Sequence, residues 1–157
     1  MLTGSFALAY YATPRMTRDL DIVVLLAARD VDPLVAAFEQ DFYIDADLAR
    51  TAIVDERLFN VMHLDSGIKV DFIVRKSSEY RQLEFDRRRS VAIGSINTWI
   101  VSIEDLILSK LVWALDTGSE MQRRDIRLLL AESPDMNYVR HWAPKLGVAA
   151  LIDEVRP

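Results

Sequence analysis

The chain has 157 residues, 51% of them apolar and 27% charged, which fits one ordinary globular domain with a single core. The absence of cysteine excludes disulfides and thiolate metal centres, and two histidines argue against a histidine-rich zinc site. A net charge of -5 excludes a general polyanion binder; no apolar run reaches bilayer length and no basic-then-apolar leader opens the chain, so a cytoplasmic protein with no membrane partner is expected.

Met1 to Thr3 reads as the end of a very short strand, and Gly4-Ser5 turns the chain into a helix over residues 6–12, closed by Pro14. Residues 20–26 form a buried strand. Asp32-Pro33 is an N-cap with proline at the first helical position, opening a helix to about residue 40. A short strand over 42–44 and a helix over 47–56 follow. Strands 59–64 and 68–74 are joined by Asp65-Ser66-Gly67, a hairpin signal. Ser77 or Ser78 caps a helix to about residue 87, and short strands follow over 90–93 and 98–101. Ser102 with Asp105 caps a helix over 103–115, and Ser119 with Gln122 caps another ending near residue 131. The tail after Pro134 is helical, with Gly147 separating two pieces. The layout is α+β: a sheet-containing core over residues 1–101 and a helical C-terminal part over 102–157, together one domain. Arg87, Arg88 and Arg89 form the only dense basic run, which reads as solvated surface or as a local patch for nucleic acid. Trp99, Trp113 and Trp142 belong to the core or to a partner surface.

Asp19 and Asp21 open the most apolar strand, and side-chain alternation puts both carboxylates on one face. Two carboxylates this close repel, and a divalent cation with oxygen ligands removes the conflict. Asp71 lies in the middle of a second apolar strand, where an isolated carboxylate is costly to bury. If the strands are neighbours, the three aspartates can converge on two metal ions for an in-line displacement at phosphorus. Gly4-Ser5 adds close backbone approach and a helix N-terminus, a natural anion site. Lys110 lies beside Leu106, Ile107, Leu111 and Ala114 on its helix; it reaches a phosphate, pairs with Asp125, or carries its amine out to water. His63 lies on a strand near Asp71 and reads as structural.

These residues resemble the nucleotidyltransferase superfamily related to polymerase β, whose signature appears as Leu2-Thr3-Gly4-Ser5, Asp19-Leu20-Asp21 and Lys69-Val70-Asp71. The run Arg15-Met16-Thr17-Arg18-Asp19-Leu20-Asp21 is similar to the bacterial abortive-infection type of toxin nucleotidyltransferases, and Lys110 and Asp125 match a helical lysine and a later aspartate of those proteins. The resemblance spans residues 2 to about 130. It implies a nucleotidyltransferase fold, a small mixed sheet flanked by helices with a helical C-terminal part. It implies magnesium, two ions held by Asp19, Asp21 and Asp71, with Lys110 joining these as catalytic. It makes Gly4, Ser5, Arg15, Thr17 and Asp125 the set that binds a nucleoside triphosphate, although Arg15 and Thr17 could equally hold the loop.

The implied reaction is attack of an acceptor hydroxyl on the α-phosphate, releasing pyrophosphate. The implied setting is a toxin–antitoxin system, with transfer RNA or a protein as acceptor and an antitoxin as partner. Rival readings are an antibiotic-modifying nucleotidyltransferase and a degenerate domain that binds nucleotide or a partner without catalysis. The resemblance would place a helix and a full first strand ahead of Gly4, whereas three residues precede it here. An under-protected sheet edge near Met1 is therefore expected, covered by a second copy in a homodimer or by further chain upstream.

Overall fold

A computed structural model describes residues 1–14, 16–17 and 19–155. Helix α1 (Gly4–Tyr11) leads to strand β1 (Asp19–Val24) and a 3₁₀ turn (Ala28–Asp30). Then come α2 (Val31–Phe38), β2 (Phe42–Tyr43), α3 (Ala46–Val54), β3 (Leu58–His63), β4 (Lys69–Val74) and α4 (Glu79–Asp86). A hairpin, β5 (Arg89–Ile93) with β6 (Ile96–Ile100), precedes α5 (Ile103–Thr117), α6 (Glu120–Leu130), α7 (Met136–Trp142) and α8 (Ala149–Val155).

Apolar alternation decides the main sheet. Its order is β1-β4-β3-β2, with β1 parallel to β4 and the remaining pairs antiparallel. Leu20, Ile22 and Val24, with Val70, Phe72 and Val74 and with Phe59 and Val61, face a core closed by Val31, Ala49, Ala52 and Ile53 of α2 and α3. A second core gathers α1 and the C-terminal helices around Leu106, Ile107, Leu111, Ile126 and Leu129. The parallel β1–β4 pair is what puts the odd-numbered residues of both strands on the other sheet face, toward this second core.

Local signals set the helix ends. Ser102 Oγ accepts from the Asp105 amide at 3.2 Å and Ser119 Oγ from the Gln122 amide at 3.4 Å, as the sequence leads one to expect. Asp45, two residues ahead of the expected start of α3, caps it by accepting from the Asp47 and Leu48 amides at 3.1 and 2.9 Å. The second helix departs further from expectation. It begins at Val31, and Asp32 and Pro33 lie inside its first turn rather than at its threshold. Proline is tolerated there because a first-turn N–H has no intrahelical acceptor. Asp30 closes the preceding turn instead, accepting from the Ala27 amide at 2.8 Å.

Asp105 is fully buried on α5 and ties four segments together. It accepts from Tyr80 at 3.2 Å, Tyr138 at 2.8 Å, Arg87 at 3.1 Å and Ser102 at 2.6 Å. Burial and these carboxylate contacts push the Tyr80 and Tyr138 hydroxyls above the ordinary tyrosine range, so both remain donors. Arg87 also stacks 3.8 Å from the centre of the Tyr138 ring. Arg88 lies over Phe85 and Trp99 at 4.4 and 4.8 Å. Arg87 and Arg88 are thus engaged in packing, because a flat guanidinium can cover an aromatic ring, whereas Arg89 is exposed as a solvated residue.

The start of the chain corrects a second expectation. Leu2 bridges Ile22 on one side, antiparallel, and Ile100 on the other, parallel. Thr3 donates to Asp21 at 3.0 Å, Val23 to Met1 at 2.8 Å, Leu2 to Trp99 at 2.7 Å and Val101 to Leu2 at 2.9 Å, all through the main chain. Met1–Thr3 is therefore an inner seam between the main sheet and the hairpin, not an open edge. Among the described residues, no helix is long and apolar enough to cross a membrane.

Candidate active site

The β1–β4 register sets Asp21 beside Asp71 and Asp19 beside Lys69. Paired positions of parallel strands share a face, so all three aspartates lie on one side of the sheet, with Asn60 of β3 beside Asp71. Lys69, which sequence reasoning passed over, joins them. Its ammonium lies 2.9 Å from Asp71 Oδ2 and 3.8 Å from Asp19 Oδ1. The bond to Asp71, aided by the charges of Asp71, Asp19 and Asp21, raises the lysine above its ordinary range and keeps it charged.

Asp71 is buried, and its Oδ1 has no hydrogen-bond partner. Burial pushes the Asp21 carboxyl up, and the neighbouring charges of Asp71 and Asp19 push it further. A carboxylate oxygen without a donor, beside a second carboxylate under repulsion, is a chemical fit for a hard cation with oxygen ligands. Among the described residues, however, no three carboxylate, histidine or cysteine side chains converge as a ready-made metal cluster. Asp19 is the outlying member. It is half exposed and lines a separate depression with Phe6, Thr17 and Ser66 to Ile68.

The raised Asp21 carboxyl carries a pH signature. The native state holds the Asp21 proton to higher pH than the unfolded chain does, so stability declines as pH rises from the ordinary aspartate range through the raised value. Asp21→Asn keeps an acceptor for the amide beside it and removes the charge. It is expected to raise the melting temperature of metal-free protein at neutral pH and to flatten that decline, as thermal melts across the acid range would show.

Gly4 clasps Asp21. Its φ is +60°, and a Cβ built there would stand 1.9 Å from Asp21 Oδ2. The Ser5 amide donates to the Asp21 carboxylate. The Gly-Ser turn at the start of α1 thus grips an anion, and in this structure that anion is Asp21. Gly4→Ala is expected to cost about 1–2 kcal/mol from the left-handed backbone alone, with displacement of Asp21 added. Denaturant titration measures the first effect, and loss of the Asp21 pH signature reports the second.

A cleft of about 480 Å³ opens between this face and α5. Gly4, Asp21, Val23 and Ile73 line one side, Leu106, Lys110, Val112 and Trp113 the other, and Arg75, Lys76 and Arg81 one end. Lys110 is 3% exposed; its ammonium lies 2.8 Å from Asp125 Oδ2 and 3.0 Å from Gln122 Oε1, and its charge lowers the Asp21 carboxyl slightly. Pairing between Lys110 and Asp125 is one of the outcomes that the sequence leaves open. Asp125, 1% exposed, lies behind the lysine rather than on the cleft wall. Arg81 donates to Glu84 at 2.8 Å and to Ser109 at 2.7 Å. Burial pushes the Glu84 carboxyl up, against the pull of Arg81.

Thr17 Oγ1 accepts from the Asp19 amide at 3.2 Å and donates to the Asp19 carbonyl at the same distance, so it holds its own loop. Arg15 lies outside the described residues. His63 takes part in the β3–β4 turn, 2.9 Å from Ser66 Oγ. Sequence reasoning missed Lys69, Arg75, Lys76, Arg81 and Glu84. The signal for Lys69 was available, since a residue two before Asp71 on a strand shares its face.

No family model matches the chain, and no curated protein matches it. Among solved structures it is similar to an antigenic nucleotidyltransferase-like protein from Paracoccidioides brasiliensis, with a TM-score of 0.51 at 15% identity over 94% of this chain and 82% of that one. The α+β architecture, a small mixed sheet flanked by helices, is a nucleotidyltransferase-like fold.

Proposed function

We propose that the chain is a nucleotidyltransferase that transfers a nucleoside monophosphate from a triphosphate to an acceptor hydroxyl. The observation that carries this reading is the pairing of Asp21 with Asp71 on adjacent parallel strands, with the Gly4 turn closed on one carboxylate and an unpartnered oxygen on the other. The similar protein's description as nucleotidyltransferase-like supports it. Asp21 and Asp71, with Asp19 at the start of β1, would hold magnesium, which when bound lowers the pKa of the acceptor hydroxyl and neutralises charge on the phosphates.

The acceptor oxygen forms a bond to the α-phosphorus, the bond to the bridging β-phosphate oxygen breaks, and pyrophosphate leaves. Asp71 Oδ1, which has no donor of its own, takes the hydroxyl proton. Lys110, braced by Asp125 and Gln122, presents a fixed positive charge on the cleft wall to the phosphates. A toxin-type role, with transfer RNA or protein as acceptor, an antitoxin as partner and a cytoplasmic setting, extends this reading from the Arg-x-Thr-x-Asp-x-Asp run.

A second reading has one observation in its favour. The Lys69 ammonium bridging Asp71 and Asp19 balances the acidic patch without metal, as a non-catalytic nucleotide-binding domain would need. Incubation with each labelled triphosphate, magnesium and total cellular RNA or protein separates the two. Label transferred to an acceptor supports the enzyme. In parallel, magnesium with the preferred triphosphate at about a hundred times Kd should stabilise the fold by about 2.7 kcal/mol. Asp19→Asn with Asp21→Asn should remove most of that gain. Stabilisation without any transfer points to the binding domain, and an undiminished shift in the double variant places the nucleotide elsewhere.

A further inference from the structure

Among the described residues, two buried side-chain polar atoms have no hydrogen-bond partner: Asp71 Oδ1 and Arg75 Nε. They lie on the same strand and its extension, and their needs are opposite. The carboxylate oxygen calls for a cation and the guanidinium N–H for an anion. Each is costly to leave unmade inside a protein.

Arg75 is held in place by its surroundings. Its amide donates to the Val24 carbonyl at 2.9 Å, which continues the β1–β4 pairing by one step, and its guanidinium lies 5.8 Å from the centre of the Phe85 ring. Lys76, exposed, follows it at the mouth of the cleft. The other two cations lining the cleft are already balanced, Arg81 by Glu84 and Lys110 by Asp125. Among the described residues, neither Arg75 nor Lys76 has a carboxylate within ion-pair distance. The opposite end of the cleft cannot serve an anion equally well, because the Ser5 amide there is bonded to Asp21. Position 75 is four residues along the sheet from the level of Asp21, about 13 Å at strand rise.

We propose that Arg75 and Lys76 form a phosphate-binding subsite at the β4 end of the cleft, separate from the Gly4-Ser5 turn. The ligand is a phosphate group carried into the cleft, either on the triphosphate tail of a nucleotide or on the backbone of a polynucleotide acceptor. Arg75 Nε supplies a directed donor, and Lys76 adds a mobile charge that draws the anion in. The proposal deepens the nucleotidyltransferase reading, on which it rests for the cleft being the substrate site.

Calorimetric titration of the full chain, with no metal added, tests it with two probes: inorganic tripolyphosphate and a short single-stranded RNA. Arg75→Gln with Lys76→Gln should weaken the probe that uses the subsite about tenfold or more, the worth of one or two charge-assisted hydrogen bonds. Lys145→Gln, which removes one charge at an exposed position away from the cleft, sets the background per charge. Lys76→Gln alone, on the surface, should give part of the loss in a protein whose circular dichroism is unchanged. Arg75→Lys, which keeps the charge and lacks Nε, should recover only part of it. A loss confined to tripolyphosphate assigns the subsite to the nucleotide tail, and a loss confined to RNA assigns it to the acceptor. If neither probe weakens beyond the Lys145→Gln background, the subsite is overturned. The metal-free titration does not use the aspartates, so failure of nucleotidyl transfer and failure of the subsite are read separately.

Discussion

Replacing Lys110 by methionine should lower the unfolding free energy by about 3–5 kcal/mol, the usual cost of removing one partner from a buried ion pair. The ammonium lies 2.8 Å from Asp125 Oδ2, and the two side chains are 3% and 1% exposed. Methionine fills much of the same volume, so the loss reflects the buried Asp125 carboxylate deprived of the Lys110 ammonium. Urea titration at neutral pH measures it. Lys110→Met with Asp125→Leu removes both charges and should return most of the stability, since an apolar pair of similar volume is often as good as a buried salt bridge. The double variant then carries a functional test. It should fold and yet transfer nucleotide poorly, because the fixed charge on the cleft wall is gone. A loss below about 1 kcal/mol in the single variant would mean that water reaches Asp125, as it does around exposed pairs.

Asp71→Asn should slow nucleotidyl transfer by about a hundredfold to a thousandfold while leaving the fold intact. The amide oxygen can still accept from Lys69, so the 2.9 Å contact has a replacement. What disappears is the charge and the proton acceptor at Oδ1, the atom without a partner. Label-transfer rates at saturating triphosphate, compared with thermal melts of the same preparation, separate chemistry from folding. Unchanged transfer by Asp71→Asn would remove Asp71 from the site and leave Asp21 and Asp19 as bystanders of a different cleft.

Much of this arrangement was legible because strands advertise themselves through alternation. Asp19-Leu20-Asp21 and Lys69-Val70-Asp71 each show polar residues at spacing two between apolar ones, and that spacing alone fixes a shared face. That the two strands would be parallel neighbours with Asp21 level with Asp71 is a matter of register, set by contacts distant in sequence, and could only be posed as a condition. The capping serines at 102 and 119 were readable because a cap is a local bond. Pro33 misled because proline fits several positions of a first turn, and tertiary packing of Val31 chose among them. The pairing of Arg75 and Lys76 with a cleft could not be seen. Their role depends on α4 and α5 folding over the end of β4, and nothing in their own neighbourhood encodes that. Leu2 was misjudged for the same reason, since its hydrogen bonds go to residues on two separate strands.

The seam at Leu2 has a mechanical meaning. A three-residue crossbar, bonded to β1 on one side and β6 on the other, ends directly in the glycine that encloses Asp21. From the Trp99 carbonyl the path runs through Leu2 and Thr3 to the Asp21 carbonyl, entirely along main-chain atoms. Backbone hydrogen bonds and peptide planes are stiffer than side-chain contacts, so a tilt of the outer hairpin is delivered to the Gly4 turn with little slack. Trp99 is 47% exposed at the far end of that path and offers a handle of large area. A molecule that grasped the hairpin there would be pulling, through the crossbar, on the clasp of the acidic patch.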